Sequence, residues 1–520
     1  MKYLFLLFWV VLASVSGLAA EDEFDYLITG GQVFDGSGSE GQNIVIGITG
    51  DRIVYVGAAK AGLTAAKHIN ASGLVVSPGF IDPHTHAYQE RPSEGPDAIQ
   101  SYVTQGITTV FSGNDGGGPA DSAAALARIH KQGSAANFGL FVGHGAVRRQ
   151  IMGMDDRPPS ADELSQMKKL VAAAMKAGAL GLSSGLFYAP GSFANTDEVV
   201  ELAKVAAEYG GIYESHLRDE SNYSIGVIGA VSEAIEIGQR AGLPVHIAHI
   251  KALGVDVWGQ SSAIIKLVEV AHARGQKVTA DQYPWLASGT RISNALVPRH
   301  AMAGGTDAMK TRLKDPAQLP QLKAEMAENM RRRGGANSIL LTGGQQHWRG
   351  LTLEQYAAKI GKAPIDTAIE IVMDGDAGIA SFNMNERDVR NFMTQPWVMT
   401  SSDGGDGHPR KYASFTQKYR RYVIQEQTLS LAKFIHKSSG LTARTFGLEN
   451  RGVLQVGMKA DILIFDPLTF GPVATYESPA ETSVGVVFLL VNGQPVIWQE
   501  DTKSVTPGTA LGMAAPTENQ

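Results

Sequence analysis

The chain has 520 residues, a formal net charge of −6 at neutral pH and no cysteine. This length is too great for one small core and sufficient for a large barrel with a satellite domain. The mildly acidic balance argues against nucleic acid as a partner. The absence of cysteine excludes disulfides, thiol nucleophiles and thiolate ligands. Any metal site must therefore use histidine, aspartate, glutamate or a modified lysine.

The first twenty residues form a separate segment. Lys2 precedes an apolar run that ends at Leu12, and small residues and then acidic residues follow it. This pattern predicts a secretory signal peptide, residues 1–20, cleaved after Ala19 or Ala20. Because the apolar run is too short to span a bilayer, we expect a secreted or periplasmic protein without a stable membrane anchor. An uncleaved anchor is the alternative.

Both ends of the remaining chain have the pattern of short strands separated by glycine-rich turns. These strands fall within residues 26–56 near the start and within residues 460–493 near the end. Short apolar runs between turn residues are typical of β-structure. The two ends therefore predict one small, discontinuous β-sandwich domain, formed by residues 21–77 and 445–505.

Residues 78–444 alternate apolar strands with amphipathic helices, which is typical of a parallel α/β protein. The predicted fold is a (β/α)8 TIM barrel, with an insertion at about residues 300–365 where a polar helical stretch breaks the alternation. The basic run Arg331–Arg333 ends this stretch and is expected to be a solvated helix C-terminus. Nine strand candidates occur, one more than a barrel needs: Phe80–Ile81, Ile107–Phe111, Phe138–Val142, Ala179–Leu182, Ile212–Tyr213, Val245–Ala248, Lys277–Ala280, Gly378–Phe382 and Val398–Met399.

Polar residues lie at the ends of several of these strands. Residues i and i+2 of a strand point to one face, so the two histidines of His84-Thr85-His86 project together. The C-terminal ends of parallel barrel strands meet at one mouth, where barrel enzymes hold their chemistry. Imidazoles and carboxylates gathered there predict a metal site. The candidates are His84 and His86, Glu214 and His216, His249, and Asp403.

The order of these residues resembles that of the amidohydrolase superfamily over nearly the whole chain. The segment Phe80–His86 fits its first strand, and Gly447–Asp461 fits the stretch that returns to the small domain. Within the superfamily, the chain is most similar to the N-acyl-D-amino-acid deacylases (D-aminoacylases). Segments that resemble their signatures are Gln105–Gly116, Leu182–Pro190, Tyr213–Arg218, Asp281–Pro284 and His408–Arg410.

The chain departs from this family at one metal-binding position. The family's GNCG cysteine is Asp115 here, and the strand ending at Ser184 supplies no lysine for carbamylation. A carboxylate can bind or bridge zinc as a thiolate does, with harder ligation. Either Asp115 or Glu214 could take this place, and a simple turn residue is the alternative interpretation of Asp115. The number of metal ions, one or two, stays open.

The resemblance implies zinc-dependent hydrolysis of the amide bond of N-acyl-D-amino acids or related D-residue-containing dipeptides. Asp403 is expected to orient a metal-activated water and to transfer its proton. The resemblance further implies that Tyr283, Ser288 and Arg410 hold the free carboxylate of this small-molecule substrate. The acyl group, the side chain, the D or L preference and the oligomeric state stay open.

Two other classes of function share part of the pattern. A cyclic amide hydrolase of the hydantoinase or dihydroorotase kind would keep the metal site. Against it, Tyr283 and Arg410 favour a substrate with a free carboxylate. A binding protein that has lost catalysis would keep the barrel, but the intact histidines and Asp403 argue against this.

Overall fold

The computed structural model describes residues 23–89 and 99–512. The predicted signal peptide lies outside these residues. In the described ranges, no helix is both long and apolar enough to cross a membrane.

Eight parallel strands form the barrel. Each pairs with the next along the chain, and the third is interrupted at Phe141. A parallel bridge between Thr85 and Gly404, four residues beyond the last strand, links the end of that strand to the first strand and closes the barrel. The prediction of a (β/α)8 barrel is therefore confirmed. The strands are Phe80–Thr85, Ile107–Ser112, Asn137–Leu140 with Val142–Gly143, Gly181–Gly185, Ile212–His216, Val245–Ile247, Val278–Gln282 and Val398–Thr400.

Amphipathic helices cover the outside of the barrel. Ser160 accepts a hydrogen bond from the Glu163 N–H, and this cap satisfies a donor that the first helical turn leaves free. Because the helices cover the outer face of the sheet, strands such as Ile107–Ser112 are buried along their whole length. The helices include Gln100–Val103, Ser122–Gln132, His144–Met152, Ala161–Lys176, Thr196–Ala207, Gly226–Ala241, Ser261–Ala273, Glu386–Met393, Arg410–Gln417, Leu431–Ser438 and Gly440–Thr445.

The ninth strand candidate, Gly378–Phe382, lies outside the barrel. It is the middle strand of a three-stranded antiparallel sheet, between Ala287–Arg291 and Ile339–Leu341. This sheet lies in the segment between the seventh and eighth barrel strands and has an apolar core of its own. The α-helices that lie between the first and last strands of this sheet are Ile292–Leu296, Gly305–Arg312, Leu319–Arg332, Leu353–Ile360 and Pro364–Met373.

Strands from both ends of the chain form the β-sandwich. One sheet contains Gln32–Val33, Val75–Pro78, Ile462–Phe465, Val486–Val491, Gln494–Trp498 and Asp501–Thr502 in that order. The other contains Arg52–Gly57, Val45–Thr49, Glu23–Thr29 and Thr64–Asn70. Ile46 and Ile464 are among the buried residues that pack between the sheets. Since Val75–Pro78 leads directly into the first barrel strand, the sandwich lies beside the start of the barrel.

Candidate metal centre and active-site pocket

His84 and His86 end the first barrel strand and turn towards two carboxylates. His84 Nε2 lies 3.3 Å from Asp115 Oδ2, and His86 Nε2 lies 3.3 Å from Asp403 Oδ1. The His84 side chain is fully buried, whereas that of His86 is 29% exposed. One histidine thus lies on the floor of the site and the other at its opening.

Asp115 follows the second barrel strand in a glycine-rich loop, with a left-handed φ of 56°. The loop packs tightly against the fourth strand, since a Cβ added at Gly185 would lie 2.1 Å from the Asp115 carbonyl oxygen. The Asp115 Oδ1 atom lies 3.6 Å from His216 Nδ1 and 3.3 Å from His249 Nε2. Its two carboxylate oxygens therefore face two different sets of histidines.

Two groups of potential metal ligands share this aspartate. Within the described chain, the ligand atoms of each group all lie within 4.8 Å of one another. The His216 Nδ1 and His249 Nε2 atoms are 2.8 Å apart, and the buried Asp115 Oδ1 beside them has no hydrogen-bond partner among the described residues. Lone pairs that converge in this way fit a divalent cation. The first group is His84, His86, Asp115 and Asp403, and the second is Asp115, His216 and His249.

Glu214 belongs to neither group. Its Oε1 lies 3.5 Å from His84 Nδ1, on the buried side of that ring. Its two oxygens also accept hydrogen bonds from Asn114 Nδ2 and from the Asp115 N–H, both at 3.3 Å. Burial raises the pKa of Glu214 to about 8. Of the two carboxylates that the sequence left open, Asp115 has the shared position and Glu214 supports the loop behind it.

Asp403 follows the last barrel strand, also with a left-handed φ, 47°. Its N–H donates to the His84 carbonyl oxygen at 3.0 Å, which holds it beside the first strand. Its Oδ2 lies 2.6 Å from Arg410 Nη1. Burial acts to raise the pKa of Asp403, but Arg410 and the neighbouring histidines outweigh it and hold that pKa well below its usual range. The carboxylate is therefore ionised at neutral pH.

A cavity of about 530 Å³ opens above both ligand groups. The three predicted substrate residues, Tyr283, Ser288 and Arg410, all line it. The Arg410 guanidinium lies 4.9 Å from the centre of the Tyr283 ring. Burial raises the pKa of Tyr283 well above its usual value, so this hydroxyl stays a proton donor at neutral pH.

The sequence analysis missed several charged residues of this cavity, and two of them, Lys251 and Glu220, lie next to the metal-ligand histidines. Lys251 Nζ lies 2.6 Å from His249 Nδ1 and 2.5 Å from Glu220 Oε1. Burial acts to raise the pKa of Glu220, and Lys251 more than offsets it, so that pKa lies below its usual range. Glu220 lies four residues after His216, and Lys251 lies two residues after His249, so both closely follow barrel strands. Their position in the chain was the signal that could have found them.

The histidines and carboxylates converge at the C-terminal mouth of a parallel barrel, below a cavity lined with cations. This arrangement is typical of a barrel enzyme. The chain belongs to the amidohydrolase family, whose model matches residues 67–497. It is 34% identical over 508 residues to a D-aminoacylase from Alcaligenes xylosoxydans xylosoxydans, covering 92% of this chain and 95% of that protein. The predicted family and enzyme class, a hydrolase of carbon–nitrogen amide bonds, are therefore confirmed.

Solved structures agree with this assignment. An N-acyl-D-glutamate deacylase from Bordetella bronchiseptica, solved with zinc and a phosphonate inhibitor, is 32% identical with a TM-score of 0.81, covering 94% of this chain and 100% of that chain. A D-aminoacylase with a binuclear metal centre is 30% identical with the same TM-score and coverage. An L-hydantoinase from Arthrobacter aurescens covers the same shares at 15% identity and a TM-score of 0.58, which shows the shared fold alone.

Proposed function

We propose that this chain is a zinc-dependent N-acyl-D-amino-acid deacylase that hydrolyses the substrate amide with a metal-activated water. The main support is the position of Asp115, which is shared by two ligand groups below a cavity with carboxylate-binding donors. The similarity to D-aminoacylases along nearly the whole chain supports the substrate class. The signal-peptide pattern of residues 1–20 supports export from the cytoplasm.

The donor set suits one or two zinc ions. His84 and His86 would hold one ion, His216 and His249 would hold the other, and Asp115 would contact both. When bound, zinc supplies Lewis acidity to the amide carbonyl and to a water molecule. Nitrogen and carboxylate donors are ligands that zinc accepts without a thiolate.

Asp403 is the group that moves the proton. Being ionised, it accepts a proton from the attacking water at the Oδ1 atom that faces His86. It then returns this proton to the nitrogen of the leaving amine. Arg410, at 2.6 Å from the other oxygen, orients the carboxylate and keeps it ionised before the reaction.

The free carboxylate of the substrate is held by donors that are unused in the protein. Within the described chain, the Tyr283 hydroxyl and the Arg410 Nε are buried and have no hydrogen-bond partner. A buried donor without a partner is costly, and a substrate carboxylate would satisfy both. With carboxylate and amide both fixed, inversion of the α-carbon would direct the side chain to a different wall, and this favours one enantiomer.

A stereochemically paired screen tests this function. Zinc-loaded protein is assayed with N-acetyl-D-amino acids, their L-enantiomers, and a hydantoin or dihydroorotate as a cyclic amide. We expect hydrolysis of D-substrates well above that of L-substrates and cyclic amides. Preferential opening of the cyclic amide would replace the proposal with the hydantoinase-like alternative, and preference for L-substrates would overturn the stereochemical assignment.

A further inference from the structure

Arg333 is a buried cation in the wall of the active-site cavity. It follows helix Leu319–Arg332 and is only 2% exposed, and it lines the cavity that lies above the metal-ligand groups. Its neighbour Arg331 is different, since it is exposed and pairs with Asp256 and Glu328. The expectation of a solvated basic run is therefore wrong for Arg333, which the chain buries at the site.

The other cations of this cavity each have a carboxylate partner. Arg410 pairs with Asp403, Lys251 pairs with Glu220, and Arg291 pairs with Asp376. Arg333 makes no such ion pair within the described ranges, where its side chain bonds to the neutral Asn383 amide and lies beside the Tyr223 ring. Burying a cation without an anion is unfavourable. A negatively charged group on the ligand would supply the missing partner.

The neutral contacts of Arg333 indicate which half of the substrate carries this charge. In the orientation that satisfies both its polar atoms, the Asn383 amide accepts at its oxygen from Arg333 Nη1 at 3.2 Å and from Ser288 Oγ at 2.9 Å. Ser288 belongs to the wall assigned above to the substrate α-carboxylate. The second negative charge is thus expected on the amino-acid half, not on the acyl half.

Tyr223 adds a second donor at the same place. Its ring centre lies 5.8 Å from the Arg333 guanidinium. Among the described residues, the buried Tyr223 hydroxyl has no hydrogen-bond partner, and neither does the buried Arg333 Nε. An unused hydroxyl beside an unpaired guanidinium is a suitable pair of donors for a carboxylate.

We propose that Arg333 and Tyr223 bind the side-chain carboxylate of the substrate, which makes this protein selective for N-acyl derivatives of acidic D-amino acids. This inference rests on the proposed deacylase function and specifies its substrate class. Tyr283 and Arg410 then hold the α-carboxylate, and the Arg333 subsite holds the second one.

The test compares N-acetyl-D-glutamate with N-acetyl-D-glutamine, which differ in charge but hardly in size. For the wild type, kcat/KM is expected to be at least about ten-fold higher for the glutamate substrate, since a charge-assisted hydrogen bond to a carboxylate is worth about ten- to a hundred-fold. In Arg333→Gln, kcat/KM should fall by about this factor for N-acetyl-D-glutamate and by little for N-acetyl-D-glutamine. The variant should therefore lose most of the preference for the acidic substrate. Both substrates are assayed with the same preparation of each variant. A misfolded, inactive fraction then lowers both rates equally and leaves the ratio of the two kcat/KM values unchanged. Arg331→Gln is the matched control and should keep the wild-type ratio.

Three results would overturn the inference. One is an equal kcat/KM of the wild type for N-acetyl-D-glutamine and N-acetyl-D-glutamate. This result refutes acidic selectivity and leaves the deacylase function intact. Another is an unchanged ratio in Arg333→Gln. The third is a preference for N-succinyl-D-glutamine over N-acetyl-D-glutamine that Arg333→Gln removes, because it would assign Arg333 to the acyl half. Failure to hydrolyse any N-acyl-D-amino acid would instead refute the deacylase function, and the inference with it.

Discussion

At the scale of single residues, the candidate metal centre depends most on Asp115, whose carboxylate oxygens face two sets of histidines. A thiolate has one donor atom with which to contact two ions, whereas a carboxylate has two. The harder oxygen donors also change which metals bind well. Aspartate at the position of the family's cysteine is therefore expected to change the metal affinity, while one residue still contacts both groups of ligands.

Replacing Asp115 should weaken metal binding more than replacing Glu214. Asp115→Ala removes a donor from both ligand groups, and Asp115→Cys should partly restore binding. Glu214→Gln should retain metal, because Glu214 lies in neither group. Metal content after dialysis against dilute zinc checks this prediction. Normal metal content in Asp115→Ala together with loss in Glu214→Gln would make Glu214 the ligand.

Asp403→Asn should bind metal and lose turnover. Loss of a positioned general base costs typically ~10²–10⁴ in rate, and the amide cannot accept the proton of the water. Asp406→Asn is the control, since Asp406 is three residues away with a side chain that is 69% exposed. Turnover numbers of the two variants, with metal content measured in parallel, decide the matter. A near wild-type rate for Asp403→Asn would mean that this residue has a structural role.

At the scale of elements, the site is assembled by loops that pack closely onto neighbouring strands. The C-terminal positions of the strands could be predicted from sequence, because polar residues there have no place in a packed core. The contacts between loops could not be predicted, because they join residues distant in sequence. Gly378–Phe382 shows a similar limit, since an apolar run is equally suited to a buried barrel strand and to a buried antiparallel strand. Arg333 shows another, because the pattern of a helix end does not reveal which of three arginines is buried.

Gly185→Ala tests the packing of the Asp115 loop. The new methyl group would lie 2.1 Å from the Asp115 carbonyl oxygen, so the loop must move and zinc affinity should fall. Gly229→Ala is a matched control in a helix, where the nearest atom to the new methyl is 3.4 Å away. It should keep zinc affinity, and greater helix propensity should leave it at least as stable as wild type. Zinc titration of both variants measures the effect. Equal affinities would show that the loop holds Asp115 without this contact.

At the scale of the whole molecule, a buried ion pair connects the sandwich with the barrel. Arg451 pairs with Asp461, whose oxygens also accept from the Asn492 N–H at 2.7 Å and from Asn137 Nδ2 at 3.3 Å. Asn137 begins the third barrel strand. In the sequence, Asp461 is only the last residue of a segment that resembles the family. In the structure, its carboxylate links Arg451 to the start of the third barrel strand.

Arg451→Met should destabilise the whole protein. It leaves the Asp461 carboxylate buried without its cation, which typically costs ~3–5 kcal/mol. The control Arg240→Met removes two exposed pairs, with Asp197 and Glu236, and should cost no more than about 1 kcal/mol. The midpoint of thermal unfolding, measured at saturating zinc, compares the two. Equal midpoints would mean that the buried pair contributes no more than a surface pair.

The most direct test of a metal-dependent deacylase is zinc titration of metal-free protein during hydrolysis of an N-acetyl-D-amino acid. Protein stripped with a chelator, with its metal content verified, should be inactive, because the cation supplies the Lewis acidity that activates the water and polarises the amide carbonyl. Activity should rise as zinc is added and reach a plateau at one or two equivalents. Undiminished hydrolysis by the metal-free protein would contradict the account, and so would a zinc-loaded protein that is inactive towards every N-acetyl-D-amino acid.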